Sequence, residues 1–279
     1  MEGSQGNGFA METRLKALNP DLHRRFTAAV VALQYSLSRY RLVFPEYTDH
    51  SELHSLSVID YCNQLIGDRI GRLNADELYI LLTGCYLHDS GMGITREQYA
   101  EFCGQIDFGD YFDSRPKDSY ATTIRDFHHE FSGLFIRKYA DLFEIPSREH
   151  LKAIIQVARG HRRTDLMDEG EYPAAFPVPG GHLVCLPYLA AVTRLADEID
   201  VTSSRNPRLL LDMKTLSLPK DILIHKVVAA VRSLDITESS FILHFDTDEP
   251  QVAEQLCTMA EKIQQTLDYC RTVVSRRTP

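Results

Sequence analysis

An adjacent histidine and aspartate, His88 and Asp89, constrain this 279-residue chain more than any other feature. They end an apolar run, LLTGCYLHDSGMG, that is typical of a helix entering the protein core. Neighbouring residues on a helix point about 100° apart, so both side chains reach one object only at a helix end or kink. A metal ion is the commonest object that needs an imidazole and a carboxylate together. Alone, the pair is equally compatible with a helix cap or a surface contact.

Other candidate ligands occur singly, each on its own predicted helix. They are His54 upstream of the pair, and His129, His161 and Asp197 downstream. Asp197 ends an almost wholly apolar segment, YLAAVTRLAD, where burial of an unpaired carboxylate is strongly unfavourable. A cationic partner is therefore expected, and helical bundles supply metal ligands from the inward faces of different helices. The joint pattern predicts a divalent metal site inside a helical bundle.

The composition argues against several classes of protein. Hydrophobic residues make up 44% and charged residues 25% of the chain, which is ordinary for a globular protein. The formal net charge of −9 argues against general binding to nucleic acid or to an anionic membrane. The sequence has no apolar run of membrane-spanning length, and its start lacks the cationic-then-apolar order of a signal peptide. The six cysteines form no CxxC pair, so we expect reduced thiols in a cytoplasmic protein.

Helical periodicity dominates the first 200 residues, so we expect a mainly α fold. Predicted helices cover 21–43, 51–70, 74–89, 118–143, 148–159 and 184–200, with polar loops at 104–117 and 164–182. Asn74 and Glu77 form a capping-box pattern at the start of the third helix. Beyond residue 210, the segments 227–236 and 240–246 favour a hairpin, and 250–275 is an amphipathic helix. We divide the chain into a disordered leader (1–15), a helical metal-binding domain (16–210) and a small α+β appendage (211–279).

Three motifs in this order resemble a known family. HSLSV around His54, YLHDSGMG around His88 and Asp89, and RLADEID around Asp197 resemble the H…HD…D signature of HD-domain metal-dependent phosphohydrolases. The resemblance covers roughly residues 45–205. It implies a helical HD-domain bundle in which His54, His88, Asp89 and Asp197 are the protein ligands of a first metal ion.

Two further segments, FHHEFSG and RGHRR, resemble the additional histidines of HD members that hold two metals. This resemblance implies that His129 and His161 hold the second ion and that Asp89 bridges both ions. His129 is also a candidate catalytic acid. Adjacent helical residues face different ways, so only one of His128 and His129 is expected to bind metal. We choose His129, and we assign His128 and Glu130 to its immediate surroundings.

Other residues near the motifs are candidates for contacts around the metals. His50 lies four residues before His54 on the same helix face, where it supports a metal ligand, contacts substrate or is a surface histidine of the first turn. Asp200, at the end of RLADEID, is interpreted as orienting a ligand histidine or as an ordinary helix-end acid. Arginine binds phosphate in a bidentate manner, so Arg205 is our first choice for a substrate contact and Arg162 a further candidate.

The resemblance implies two divalent ions per chain (Mn, Co, Zn, Mg or Fe) and an enzymatic role. We expect a phosphohydrolase or phosphodiesterase that acts on a nucleotide or cyclic nucleotide through a metal-bound hydroxide. HD proteins of the histidine-rich type also include di-iron oxygenases, which iron content and oxygen consumption would distinguish. A third hypothesis is a non-catalytic sensing module that binds metal or nucleotide together with a partner protein.

A more distant likeness concerns that partner. The segments TDHSELHSLSV, RGHR and RLADEIDVTSSR are similar to HD domains attached to Hsp90-like ATPases in bacteria. The likeness implies an Hsp90-like ATPase as a candidate partner, in addition to a small-molecule phosphate ester. It does not name a substrate.

Overall fold

The computed structural model describes residues 10–113, 120–202 and 219–278 of the chain. The fold is mainly α, with a small α+β part at the C-terminal end, as predicted. The helices of the larger part are α1 (Ala10–Leu18), α2 (Pro20–Leu37), α3 (Tyr40–Val43), α4 (Glu52–Ile66), α5 (Ala75–Leu87), α6 (Arg96–Cys103), α7 (Tyr120–Lys138), α8 (Arg148–Gly160) and α9 (Leu186–Ile199).

The central helix is α5, which packs against α1, α2, α4, α8 and α9. The predicted capping box at its start is confirmed: Asn74 accepts from the Glu77 backbone N–H, and the Glu77 carboxylate accepts from the Asn74 N–H. Every residue from Leu78 to Leu87 is buried, as expected for a helix that is apolar all round. Neither α5 nor any other described helix combines the length and the apolarity needed to cross a membrane.

The N-terminal helix α1 differs from the expected leader. The leader was predicted over residues 1–15, whereas the structure describes a helix from Ala10. Met11 and Leu15, one helical turn apart, are fully buried against the core. The backbone N–H of Met11 also donates to the side-chain oxygen of Asn63, at 2.9 Å. Packing of this apolar stripe fixes residues 10–15, while residues 1–9 lie outside the described part of the chain.

The buried carboxylate of Asp76 connects three segments at the N-terminal end of α5. Asp76 Oδ1 lies 2.8 Å from His150 Nε2 on α8, and Asp76 Oδ2 lies 2.6 Å from His182 Nδ1. His182 precedes strand β2 (Leu183–Val184), which pairs antiparallel with β1 (Phe176–Pro177) inside the predicted loop 164–182. The acidic group therefore fastens this short hairpin and α8 to the start of α5.

The C-terminal part consists of α10 (Pro219–Ala230), an antiparallel hairpin of β3 (Val231–Ile236) and β4 (Phe241–Phe245), and α11 (Pro250–Arg277). The predicted terminal helix is present, and so is the hairpin, but its first strand begins at Val231: residues 227–230, predicted as strand, form the last turn of α10. Helix α11 packs along α9, and the Tyr269 hydroxyl accepts from the Leu166 N–H at 2.8 Å. Arg277 donates to the backbone oxygens of Met167 and Tyr172. The appendage is thus fastened to the loop that follows α8, while the predicted boundary at residue 210 lies outside the described residues.

Candidate metal centre

Helix ends and one helix kink bring six ligand-type side chains to one buried place. The first turn of α4, the C-terminal ends of α5, α8 and α9, and the middle of α7 meet there. The side chains are His54, His88, Asp89, His128, His161 and Asp197. Five of these six belong to the predicted ligand set, and the exception is His128.

The first group of ligand atoms combines two imidazoles with two carboxylates. His54 Nε2 lies 3.2 Å from His88 Nε2 and 3.5 Å from Asp89 Oδ2. His88 Nε2 lies 3.4 Å from the same carboxylate oxygen. Asp197 Oδ1 completes the group, at 3.2 Å from His54 Nε2 and 3.7 Å from His88 Nε2. The atoms surround a space that matches a metal ion bound by nitrogen and oxygen.

The second group uses the other oxygen of Asp89. His128 Nε2 and His161 Nε2 lie 2.9 Å apart, and they are 3.5 Å and 3.7 Å from Asp89 Oδ1. Oδ2 of the same carboxylate faces His54 and His88. The two oxygens of Asp89 therefore point into two different histidine pairs, which is the arrangement of a carboxylate that bridges two ions.

The hydrogen bonds behind the histidines determine which ring nitrogen faces the centre. Nδ1 of His88, His128 and His161 lies against the backbone oxygens of Cys85, Arg125 and Ala158, respectively. A carbonyl oxygen only accepts, so Nδ1 carries the proton in each of these rings. The Nε2 atoms that face the centre consequently hold the lone pairs in the neutral rings. This is the tautomer that binds metal through Nε2, with the second nitrogen fixed by an oxygen.

The pair His128 and His161 gives the strongest indication that a cation belongs here. Burial lowers the pKa of each imidazole to about 3, so both rings are neutral at neutral pH. With both protons on Nδ1, two lone pairs face each other across the 2.9 Å between the Nε2 atoms. No proton is shared between them, and a cation bound by both nitrogens removes the repulsion. The donor set therefore fits divalent metal ions.

Asp89 and Asp197 place negative charge against the first histidine pair. Burial disfavours protonation of His88, but the charges of Asp89 and Asp197 outweigh it and raise the pKa of His88 well above its usual value. Without an ion the His88 ring therefore also carries a proton on Nε2, and a metal ion bound there would displace it. Burial likewise acts to raise the pKa of both carboxyl groups, and the neighbouring imidazoles hold the pKa of each well below its usual value. The carboxylates remain charged in a buried site, which requires positive charge beside them.

His129, chosen from the sequence as the second-metal ligand, is not in the group that contains Asp89, His128 and His161. Its Nε2 lies 3.7 Å from Glu130 Oε1, and its Nδ1 is buried without a hydrogen-bond partner in the described structure. The reason is a kink in α7 at Phe127, whose backbone leaves the helical range, after which the two histidines point apart. The spacing of α7 contained the signal, because His128 falls between buried Ile124 and buried Phe131 on one helix stripe.

Two residues predicted to surround the ligands have defined contacts. Asp200 is fully buried, and its Oδ2 lies 2.6 Å from His54 Nδ1. Its other oxygen accepts from the Ser57 hydroxyl at 2.9 Å. Asp200 therefore orients His54, whereas Ser57 was missed by the sequence reasoning although it lies one helical turn after His54. Glu130 instead binds the guanidinium of Arg159 through both oxygens, at 2.6 and 2.9 Å.

A cavity of about 230 Å³ opens directly onto the centre at Asp89, Asp197 and His128. The cationic side chains that line it are Arg125 on α7, Arg162 after α8 and Lys262 on α11. Of these, Arg162 was a predicted substrate contact. Arg125 and Lys262 were not predicted, because only the packed fold brings α7 and α11 to the same opening.

Of the other predicted substrate contacts, one lines the cavity and one lies outside the residues that the structure describes. His50 lines the cavity, and its ring lies 5.5 Å from the ring of His54, centre to centre. Arg205, the first choice for a phosphate contact, lies outside the described residues. Two of the three cationic side chains that line the cavity make contacts within the protein. Lys262 forms an ion pair with Glu198 at 2.8 Å, and the Arg125 guanidinium lies over the ring of Tyr47.

Comparison with known proteins agrees with this arrangement. The family model HD-CE matches residues 44–279, which include the complete candidate centre and the C-terminal part. Neither the curated proteins nor the solved structures gave a match. Since the family model covers well over half of the sequence, the chain belongs to the HD-CE family.

Proposed function

We propose that this protein is a metal-dependent hydrolase of phosphate esters, with a nucleotide or cyclic nucleotide as its substrate. The observation that carries the proposal is the position of Asp89, with one oxygen towards His54 and His88 and the other towards His128 and His161. A carboxylate between two buried histidine pairs suits the bridging ligand of a two-metal hydrolytic site.

The residues divide into two ligand sets that share Asp89. The first ion would be held by His54, His88, Asp89 and Asp197, and the second by Asp89, His128 and His161. Two such ions would supply a nucleophilic water at neutral pH and would neutralise charge on a phosphate. Asp200 and the backbone carbonyls fix the rotation of the histidine rings, so the ligand nitrogens are oriented before an ion binds.

The cations around the cavity support an anionic substrate. Arg125, Arg162 and Lys262 come from three different segments and line the same opening as Asp89. Guanidinium and ammonium groups bind phosphate oxygens with charge-assisted hydrogen bonds. The described lining also holds Glu46 and Glu198, and Glu198 pairs with Lys262 at 2.8 Å. Arg125 and Arg162 are therefore the cations offered to a negatively charged group beside the metal ions. An oxygenase acting on an uncharged substrate has no comparable need for them.

The rest of the cavity wall suits the organic part of a nucleotide. Tyr47 and His50 supply flat rings, and Val201 and Ile224 supply aliphatic surface. The wall formed by Ile224 and Lys262 comes from the C-terminal part of the chain, so that part contributes to substrate binding in this proposal. Removal of the C-terminal part is therefore expected to affect substrate affinity as well as stability.

The test is turnover by protein loaded separately with Mn, Co, Zn or Fe, measured with bis-p-nitrophenyl phosphate and a panel of linear and cyclic nucleotides. We expect metal-dependent hydrolysis that is abolished in Asp89→Asn. Arg162→Gln should raise KM, whereas Arg163→Gln, an exposed neighbour that does not line the cavity, should leave KM unchanged.

Two outcomes would contradict the proposal. Nucleotide binding without cleavage in fully metal-loaded protein would favour a sensing module. Iron as the native metal, with oxygen consumption and no phosphate ester cleaved, would favour the oxygenase.

A further inference from the structure

A second groove lies between α7 and α8, outside the metal centre. It encloses about 600 Å³, within the range of roughly 300–1,000 Å³ that is usual for small-molecule sites. Among the described residues, its cationic lining side chains are Arg137, Arg148, Lys152 and Arg159, and its acidic one is Glu130. This concentration of positive charge is unusual in a chain with a net charge of −9.

The two helices run antiparallel along the groove, which separates its charges into two ends. At one end Glu130 binds Arg159 through two hydrogen bonds, and the Gln156 side chain accepts from the same guanidinium at 2.8 Å. A β-carbon on Gly133 of α7 would lie against Arg159 and Ile155 of α8. Arg137, one turn further along α7, therefore lies towards the first turns of α8 at the other end.

At that other end the three cations outnumber Glu149, the acidic residue in the first turn of α8, which is next to Arg148 in the sequence. The side chains of Arg137 and Arg148 form no hydrogen bond or ion pair with any described residue, and both are exposed. Lys152 lies over the ring of Phe176 and forms no ion pair with a described residue. Arg148 and Lys152 lie in the first turns of α8, where the helix dipole adds partial positive charge, whereas Arg137 lies in the last turn of α7, where the dipole is negative. The excess of three cations over one acid suits this end of the groove to an anion.

The middle of the groove is apolar. Its floor is formed by Leu134, Leu151 and Ile155, which are buried or partly buried. The distance along α8 from Arg148 to Arg159 is about 16 Å, from the 1.5 Å rise per residue. The groove thus offers a cationic end, an apolar floor and a polar end over the length of one nucleotide.

We propose that this groove is a second ligand site that binds an organic phosphate of nucleotide size. Its phosphate lies between Arg137, Arg148 and Lys152, and its organic part covers the apolar floor. The cations are gathered at one end of the groove, which matches one concentrated anionic group. An acidic peptide would be better matched by charges spaced along the whole groove. The site does not depend on bound metal or on the proposed hydrolysis.

The test uses isothermal titration calorimetry with AMP and ATP on the metal-free Asp89→Asn protein, in which hydrolysis is abolished. We expect both nucleotides to bind, ATP more tightly, and we assign to the groove only the binding that persists in Arg162→Gln, whose side chain lines the other cavity. Replacing both Arg137 and Lys152 with Gln should weaken binding by about tenfold per charge. Lys138→Gln is the matched control, because Lys138 is on the same helix, pairs with Glu101 and does not line the groove.

Three results would overturn the proposal. They are the absence of nucleotide binding to the folded Asp89→Asn protein, equal affinity in the double variant, and binding of poly-glutamate but of neither nucleotide. The last would assign the groove to an acidic protein partner. None of these results concerns phosphate ester cleavage, so failure here is separable from failure of the proposed function.

Discussion

Gly91, two residues after Asp89, is expected to tolerate substitution by a larger residue least among the small residues near the centre. A β-carbon there would lie 2.4 Å from the backbone nitrogen of Ser132 and 2.7 Å from the backbone oxygen of His128. Ordinary contact begins at 3.4 Å, so relief of the closest contact requires a movement of 3.4 − 2.4 = 1.0 Å. The opposing atoms belong to the backbone of α7, which has to move as a whole.

The cost of Gly91→Ala follows from this geometry. Overpacking of a tight core contact costs about 1–3 kcal/mol. The hydrogen bond from the Gly91 N–H to the Ser132 hydroxyl, 2.9 Å long, is lost if α7 moves, at about 1 kcal/mol. We therefore expect a loss of roughly 2–4 kcal/mol in the free energy of unfolding. Because α7 carries His128, the same movement should also weaken the second metal group.

Urea denaturation of the purified variant measures the loss of stability, and elemental analysis measures the loss of metal. Gly71→Ala is the control, because a β-carbon at Gly71 meets nothing within 4 Å and the backbone there has no positive φ. Its stability should change by less than about 1 kcal/mol. Wild-type stability together with wild-type metal content in Gly91→Ala would refute the close packing of this turn against α7.

Two further predictions concern carboxylates outside the ligand set. Asp200→Asn removes the charge that orients His54, so metal affinity measured by calorimetry should fall about 10–100-fold, and an unchanged affinity would contradict the orienting role. Burial acts to raise the pKa of Asp76, but hydrogen bonds from His150 and His182 outweigh it and lower the pKa. The charged form therefore stabilises the fold above about pH 4, and this contribution is lost as the pH falls through the lowered pKa. The stability difference between wild type and Asp76→Asn should shrink from pH 7 to pH 3, and a constant difference would argue against this linkage.

The elements that could be predicted are those determined by local sequence. The capping box of Asn74 and Glu77 marks the start of α5, and the continuous apolar run after it identifies the central helix. The hairpin of β3 and β4 follows from two short alternating segments. Helix α1 was not predicted, since Met11 and Leu15 become meaningful only when the core surface that covers them is known.

The part of the candidate centre that could be predicted consists of single residues at the ends of separate helices. His54, His88, Asp89, His161 and Asp197 come together as expected. The choice between His128 and His129 was wrong although the spacing of α7 contained the signal, since His128 shares a buried helix stripe with Ile124 and Phe131. Lys262 was out of reach for another reason: its place at the cavity depends on how α11 packs against α9, a contact between segments distant in sequence.

The central claim is that Asp89 joins two metal groups and that His128, rather than His129, belongs to the second. The most direct measurement is the metal content of wild type, Asp89→Ala, His128→Ala and His129→Ala after identical reconstitution and desalting. The account predicts about two equivalents per chain in wild type and in His129→Ala, about one in His128→Ala, and loss of both in Asp89→Ala. One equivalent in wild type, or loss of metal from His129→Ala but not from His128→Ala, would contradict it.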